Sequence, residues 1–227
     1  MPVFRLSDAL IFPSPEFADD DGLLAVGGDL SPARLILAYS QGIFPWFSEG
    51  DPILWWSPAP RLALFPAEFH LPKRLKRTIN SGAFTVTADT AFAEVIAGCA
   101  TASGRVKNGT WITPEMEQAY CRLHELGYAH SIECWRDGQL AGGLYGVGLD
   151  QIFFGESMFT RVTDASKTAL TALAQLALQQ GIAMIDCQMT TDHLLRFGTR
   201  EISREEFQAQ LDAHIDDCLP QKKWRLP

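Results

Sequence analysis

Two apolar runs on either side of Asp137-Gly138 restrict this chain more than any other feature. SIECW before the dipeptide and LAGGLYGVGL after it are rich in strand formers, and Asp-Gly supplies the backbone angles of a two-residue hairpin turn. An antiparallel pair is therefore expected, and its neighbours must pack on one of its faces. QIFFGESMF follows as a third strand-like run. The longest helical pattern spans about Ala165 to Gln180 and is closed by Gly181, and IAMIDCQ beyond it reads as a short buried strand. Thr113 can cap a helix that starts at Pro114 and stops near Gly127, while Ser203 with Glu206 has the capping-box spacing of a last helix reaching about His214. This order predicts an α+β fold, a mixed sheet with covering helices.

The first third is punctuated differently. Pro13 and Pro15 precede the acidic run Asp19 to Asp21, and Ser31-Pro32 opens a helix that runs to about Gln41 before Gly42. IFPWF and ILWWSPAPR then hold Trp46, Trp55 and Trp56 in a stretch too proline-rich for a long helix, where large aromatics supply much buried area to a small core. A small amino-terminal domain, 1–63, is expected ahead of a larger one, 64–227. Lys73, Arg74, Lys76 and Arg77 form the one concentrated positive run, which suits either a solvated helix face or an RNA contact. Thr87 to Ala97 is compatible with a helix ending at Gly98, and GRVKNGT reads as a loop.

Composition removes several classes. At 227 residues and 47% hydrophobic the chain has ample material for a core, so disorder is excluded. Nineteen Lys and Arg against 27 Asp and Glu give a net charge of -8, which argues against a general nucleic-acid coat but leaves room for a local basic patch. The five scattered cysteines suit a reducing compartment. MPVFRLSD lacks the parts of a signal peptide, and no run reaches the roughly 18 apolar residues of a membrane span, so a soluble, cytoplasmic protein with no membrane partner is expected. There is no GxGxxG, Walker A, HExxH or GxSxG, and His70, His124, His130, His193 and His214 make no spaced ligand set; no metal site is expected.

The polar groups that stand out lie in apolar runs. Glu156 follows Phe153 and Phe154 in FFGESMF, and Asp186 and Gln188 end IAMIDCQ, where they share one face if the strand continues. A carboxylate at the end of a buried strand is costly unless nearby donors satisfy it or function retains it. Both readings fit the pattern.

The blocks SPE, GLLAVGGDLSPARLI, YSQGIFPWF, DPILWWSPAPR, GTWIT, GGLYGV, FFGESMF, DASKTAL and DCQ, in this order from residue 14 to 188, closely resemble the leucyl/phenylalanyl-tRNA–protein transferase family. Their shared order makes the match specific. The resemblance implies a small amino-terminal domain, and a carboxy-terminal domain similar to the acetyltransferase (GNAT) fold. It also implies transfer of leucine, phenylalanine and, less efficiently, methionine from aminoacyl-tRNA to proteins or peptides with amino-terminal arginine or lysine, marking them for degradation. No cofactor and no DNA partner are implied. The aminoacyl ester is already activated, so positioning the substrates, removing a proton from the amine and stabilising the oxyanion suffice.

The same resemblance assigns roles. Asp186 and Gln188 correspond to residues at the reacting centre, and Glu156 to a second acidic residue of the acceptor site, where carboxylates select a basic first residue by charge. A neutral amide is a poor base, so the expectation is that Asp186 holds the acceptor's cationic end and Gln188 orients amine or ester, with the ribose 2′-hydroxyl or water relaying the proton. Trp46 and Trp111 would receive the terminal adenosine, with Tyr39 and Tyr120 in support. Leu144, Phe153 and Leu173 would surround the transferred side chain, with Ile185 nearby; Leu144 and Leu173 replace a methionine and a phenylalanine of a relative, which bears on pocket volume. Lys73, Arg74, Lys76 and Arg77 would contact acceptor-stem phosphates. The competing readings are a small-molecule acyltransferase, which should show a glycine-rich pyrophosphate loop, and a noncatalytic tRNA-binding protein, which would bind without forming product.

Overall fold

The computed structural model describes residues 3–102 and 110–226; the GRVKNGT loop expectation falls almost wholly outside them. The first quarter builds a four-stranded sheet from β1 (Phe4–Leu6), β2 (Leu23–Gly27), β3 (Phe44–Pro45) and β4 (Leu54–Trp56), in the order β1-β2-β4-β3. Helix α1 (Pro32–Ser40) starts as the sequence indicates, with the Ser31 hydroxyl accepting from the Arg34 N–H and proline at the first position. Trp55 is fully buried, and its indole N–H donates to the Gly27 carbonyl.

The larger sheet contains β5 (Arg61–Leu64), β6 (Thr85–Ala88), β7 (Ala129–Arg136), β8 (Gln139–Leu149), β9 (Ile152–Thr160), β10 (Met184–Gln188) and β11 (Arg200–Ile202), in the order β11-β5-β10-β9-β8-β7-β6. The hairpin β7-β8 turns on Asp137 and Gly138, both at positive φ (51° and 73°), which is the geometry such a turn needs. Every neighbouring pair is antiparallel except β9 and β10, which are parallel and joined through the helix Ala165–Gln180. A parallel pair requires a long crossover, and that helix supplies it.

The two faces of this sheet are covered by different material. On one, α2 (Lys73–Asn80) and the crossover helix pack a core that includes Leu144, Phe153, Leu173 and Ile185. On the other lie α3 (Phe92–Ala100), α4 (Pro114–Leu126) and the four-stranded sheet, so that Leu24, Leu35 and Trp55 share a core with Tyr120, Tyr145 and Phe154. The crossover helix is α5, followed by α6 (Asp192–Leu195) and α7 (Arg204–His214). Ser203 caps α7 through the Glu206 N–H, as its spacing suggests.

One expectation is corrected. The stretch Thr87 to Ala97 is not one helix: β6 occupies Thr85–Ala88, Asp89 turns at φ 54°, and α3 begins at Phe92. Gly98 does not end α3 but lies inside it, because a Cβ there would sit 2.7 Å from the Phe159 ring, so the glycine serves close packing and not termination. β5 begins at Arg61 and pairs with β10 and β11 of the large sheet.

Candidate active site

β9 and β10 are in register only from Met184 opposite Ile152 to Asp186 opposite Phe154. Past that point the strands part. Gln188 adopts φ 60° and the register with β5 shifts between Asp186 and Gln188. A left-handed conformation is costly for a residue with a side chain, on the order of 1–3 kcal/mol, and here it is held from both sides: the Gln188 N–H donates to Asp186 Oδ1 at 2.9 Å, and the side-chain amide donates to Glu156 Oε1 at 3.0 Å. The strand thus does not continue regularly, and the expected face-sharing of Asp186 and Gln188 is replaced by a turn that aims Gln188 at Glu156.

A cavity of about 310 Å³ opens where the strands part. Its wall is largely apolar. Leu144, Phe153, Leu173 and Ile185 stand on it together with Leu170 and Met158; Trp46 and Trp111 border it with Phe44; and Glu156 and Gln188 bring polar atoms to it. Glu156 is the one acidic side chain on this wall among the described residues. Tyr145, Cys187, Met189, His193 and Leu194 also line it; sequence reasoning names none of these five for the site. Their signal is weak, since each looks like ordinary core or surface.

Glu156 is 8% exposed, and both its oxygens are engaged: Oε1 by Gln188, Oε2 by the Tyr120 hydroxyl at 2.9 Å. Tyr120 is in turn in a short contact with the Tyr39 hydroxyl. With Tyr120 committed to the carboxylate, Tyr39 donates to Tyr120. Burial and the nearby Glu156 push both phenols well above their ordinary range, so they remain donors. Burial also raises Glu156, against the lowering effect of its donors, to a pKa of about 7. Tyr39 and Tyr120 do not line the cavity; they support the carboxylate from within the core.

Asp186 is fully buried and stands off the cavity wall. Arg61 donates to it from Nε (2.9 Å) and Nη2 (2.8 Å), in the planar two-bond geometry that suits guanidinium and carboxylate. The guanidinium lies against the Phe44 and Phe207 rings, 4.9 and 4.5 Å from their centroids. Sequence reasoning misses Arg61, although a lone arginine entering the apolar run LALF is its signal.

Trp46 is the most exposed aromatic of the site, at 36%, and is oriented by Trp56, whose indole N–H donates to the Trp46 carbonyl at 2.7 Å while the rings lie 5.7 Å apart. Burial, with Lys167 and Arg196 nearby, lowers the His193 pKa. Lys73, Arg74, Lys76 and Arg77 are all exposed on α2, away from the cavity wall, while Leu75 and Ile79 pack on the core.

A mixed sheet that parts around an apolar cavity, with one carboxylate and one carboxamide at its wall, has the parts of an acyl-transfer site. A family model described as leucyl/phenylalanyl-tRNA protein transferase matches residues 63–212, and one for the amino-terminal domain of that protein matches residues 28–59. A leucyl/phenylalanyl-tRNA–protein transferase of Syntrophobacter fumaroxidans is 56% identical over 224 residues, covering 99% of this chain and 96% of the relative; one from Solidesulfovibrio magneticus is 54% identical over 227 residues, covering 100% and 92%. Among solved structures the chain is similar to an aminoglycoside acetyltransferase from a soil metagenomic sample (TM-score 0.41, 10% identity, 65% of this chain and 99% of that one). The chain belongs to the leucyl/phenylalanyl-tRNA–protein transferase family.

Proposed function

We propose that this chain moves leucine or phenylalanine, and less efficiently methionine, from aminoacyl-tRNA to the α-amino group of an amino-terminal Arg or Lys, marking the acceptor protein for degradation. The observation that carries this reading is the composition of the cavity wall, where an apolar pocket meets one buried carboxylate. The amino-acid side chain of the donor occupies the space bounded by Leu144, Phe153, Leu173 and Ile185. Trp46 and Trp111 offer faces on which the terminal adenine stacks. Such a pocket separates donors by apolar volume, and one methylene is worth only about 1–3 kcal/mol, which fits a family named for two donors.

Glu156 meets the acceptor. Tyr120 donates to Oε2 and Gln188 to Oε1, with the Tyr39 hydroxyl also interacting, and the remaining acceptor capacity of the carboxylate is directed to the cationic acceptor. A pKa of about 7 suits it to take a proton from the α-amine. The freed nitrogen attacks the ester carbonyl carbon, the C–O bond to the ribose breaks, and the ribose oxygen leaves with a proton relayed from the amine. Gln188 orients the amine through its amide. Asp186, already neutralised by Arg61, acts as a positioning residue that fixes the Gln188 turn. This replaces the direct acceptor contact expected of Asp186. The bounds of the two domains, on this reading, fall at the connection between β4 and β5.

The test is transfer of labelled leucine from leucyl-tRNA to matched peptides beginning with Arg, Lys or Ala, with purified protein and no added ATP or metal. Labelling of the Arg and Lys peptides alone is expected. Binding of the charged tRNA without labelled peptide would overturn the reading in favour of a noncatalytic tRNA-binding role.

A further inference from the structure

We infer that the carboxy-terminal segment around Trp224 sets the depth of the donor side-chain pocket by holding Phe153 from behind. The inference rests on the assignment of the Phe153 wall to the donor. Phe153 is fully buried, forms part of the cavity wall, and lies across β8 over Gly146, where a Cβ would come within 2.5 Å of its ring. Trp224 packs against the same ring, with centroids 5.3 Å apart. Phe153 is thus in contact with both strand backbone and indole.

Trp224 is itself fixed by an unusual amount of buried polar structure. Its ring stacks on His130 at 4.2 Å and 3°. Asp89 Oδ2 accepts from the Trp224 backbone N–H and pairs with His130 Nδ1, both at 2.7 Å, while Oδ1 accepts from the Ser131 N–H at 2.9 Å. The indole N–H donates to Gln221 Oε1, and the Gln221 N–H donates to the Gly127 carbonyl at 2.7 Å. Burying a carboxylate and an imidazole to anchor a tail is costly where apolar cover alone would serve. What the polar anchor adds is a fixed position for the indole. Close-packed interiors pass such constraints on to their neighbours, and the neighbour here is a pocket wall. Trp224 lies beyond the residues matched by either family model, 28–59 and 63–212.

The experiment compares kcat/KM for leucyl-, phenylalanyl- and methionyl-tRNA on one Arg-initiated peptide in the full chain and in W224F, W224L and F153L. With the indole gone Phe153 can retreat, and W224L is expected to shift the Phe-to-Leu preference toward Phe by about 10-fold, with W224F shifting it about 3-fold in the same direction. F153L, which alters the wall itself, must change the same ratio if the pocket is rightly assigned. A merely structural role for Trp224 lowers kcat/KM for all donors by one factor. That uniform loss, with F153L still shifting the ratio, overturns the inference and leaves the pocket standing; unchanged ratios in F153L and both Trp224 variants overturn both. W224F keeps an aromatic ring in the site, so it carries the test should W224L fail to fold.

Discussion

Asp186 and Glu156 are buried carboxylates on neighbouring strands, close enough that the charge of one raises the pKa of the other, yet their surroundings differ in kind. Asp186 faces a guanidinium, accepts a backbone N–H and does not line the site cavity. Glu156 has neutral donors, Tyr120 and Gln188 with Tyr39 beside them, and borders the cavity. A carboxylate whose charge is cancelled inside the protein is free to do structural work. One left with neutral partners still attracts a cation or a proton, and its burial makes that attraction stronger. The sealed end of the pair should therefore register mainly in stability, and the open end mainly in chemistry.

The largest expected effect belongs to the sealed end. Arg61→Met leaves Asp186 buried and uncompensated and should cost about 3–5 kcal/mol, read from the denaturant midpoint. Combining it with Asp186→Leu removes both charges and should recover a large part of that loss. Transfer, however, should remain weak in the double variant, since the carboxylate that holds the Gln188 turn is gone. Full recovery of transfer would show that Gln188 does not depend on Asp186 and would erase the division of labour.

Glu156→Gln probes the open end and, on the proposed role of Glu156 as proton acceptor, should lower kcat by about 10²- to 10³-fold. Its effect on stability has the opposite sign. Because the folded pKa, about 7, lies above the ordinary 4.5, the folded protein binds this proton more tightly than the unfolded chain. The stability so contributed is complete below about pH 4.5 and is lost as pH rises through about 7. At pH 8 the glutamine variant should therefore be more stable than the parent, by on the order of 1–3 kcal/mol, and at pH 4 to 5 the two should melt alike. A pH-independent difference between their thermal midpoints would place the proton elsewhere.

The sequence made the outer logic of this comparison readable but not the inner. The hairpin at Asp137-Gly138, the helix over 165–180 with its glycine stop and the strand that ends in Asp186 all follow from local turn, cap and periodicity signals, and the structure reproduces them. Long-range pairing is another matter. Arg61 lies 125 residues from Asp186, and nothing local says that a lone arginine in LALF must turn toward it. Tyr39 and Tyr120 likewise meet from helices 81 residues apart, which is why their contact under Glu156 is not readable locally. The parting of β9 from β10 depends on a left-handed Gln188, and a glutamine does not announce such a backbone as a glycine would.

A smaller effect is expected at the cavity rim. Trp46→Ala removes the exposed aromatic face and should raise the KM for aminoacyl-tRNA by about 10-fold, in keeping with ~1–3 kcal/mol for one stacked base. The KM for the peptide and the melting temperature should hardly move, because Trp46 is oriented by Trp56 and is itself the more exposed of the two. A comparable rise in peptide KM would mean that the rim belongs to the acceptor as well.

The smallest effects should come from α2, where the contrast between stability and chemistry is sharpest. Lys73, Arg74 and Lys76 crowd the start of this helix, and no acidic residue stands in its first turn. Cations there oppose the helix dipole, so the arrangement is mildly unfavourable until an anion arrives. Phosphates would reverse the sign of that interaction, joining the helix N-terminus and the side chains in one attraction. Replacing Lys73, Arg74 or Lys76 by alanine should accordingly leave stability unchanged or slightly raised, whereas Arg77, in the last turn, should lose a small favourable interaction with the dipole. Binding of tRNA should weaken about 2- to 3-fold, with the slope of log affinity against log salt falling by roughly 0.7 to 0.9 for each phosphate that is no longer neutralised. A variant that weakens binding while keeping the full slope would take that side chain off the phosphate backbone.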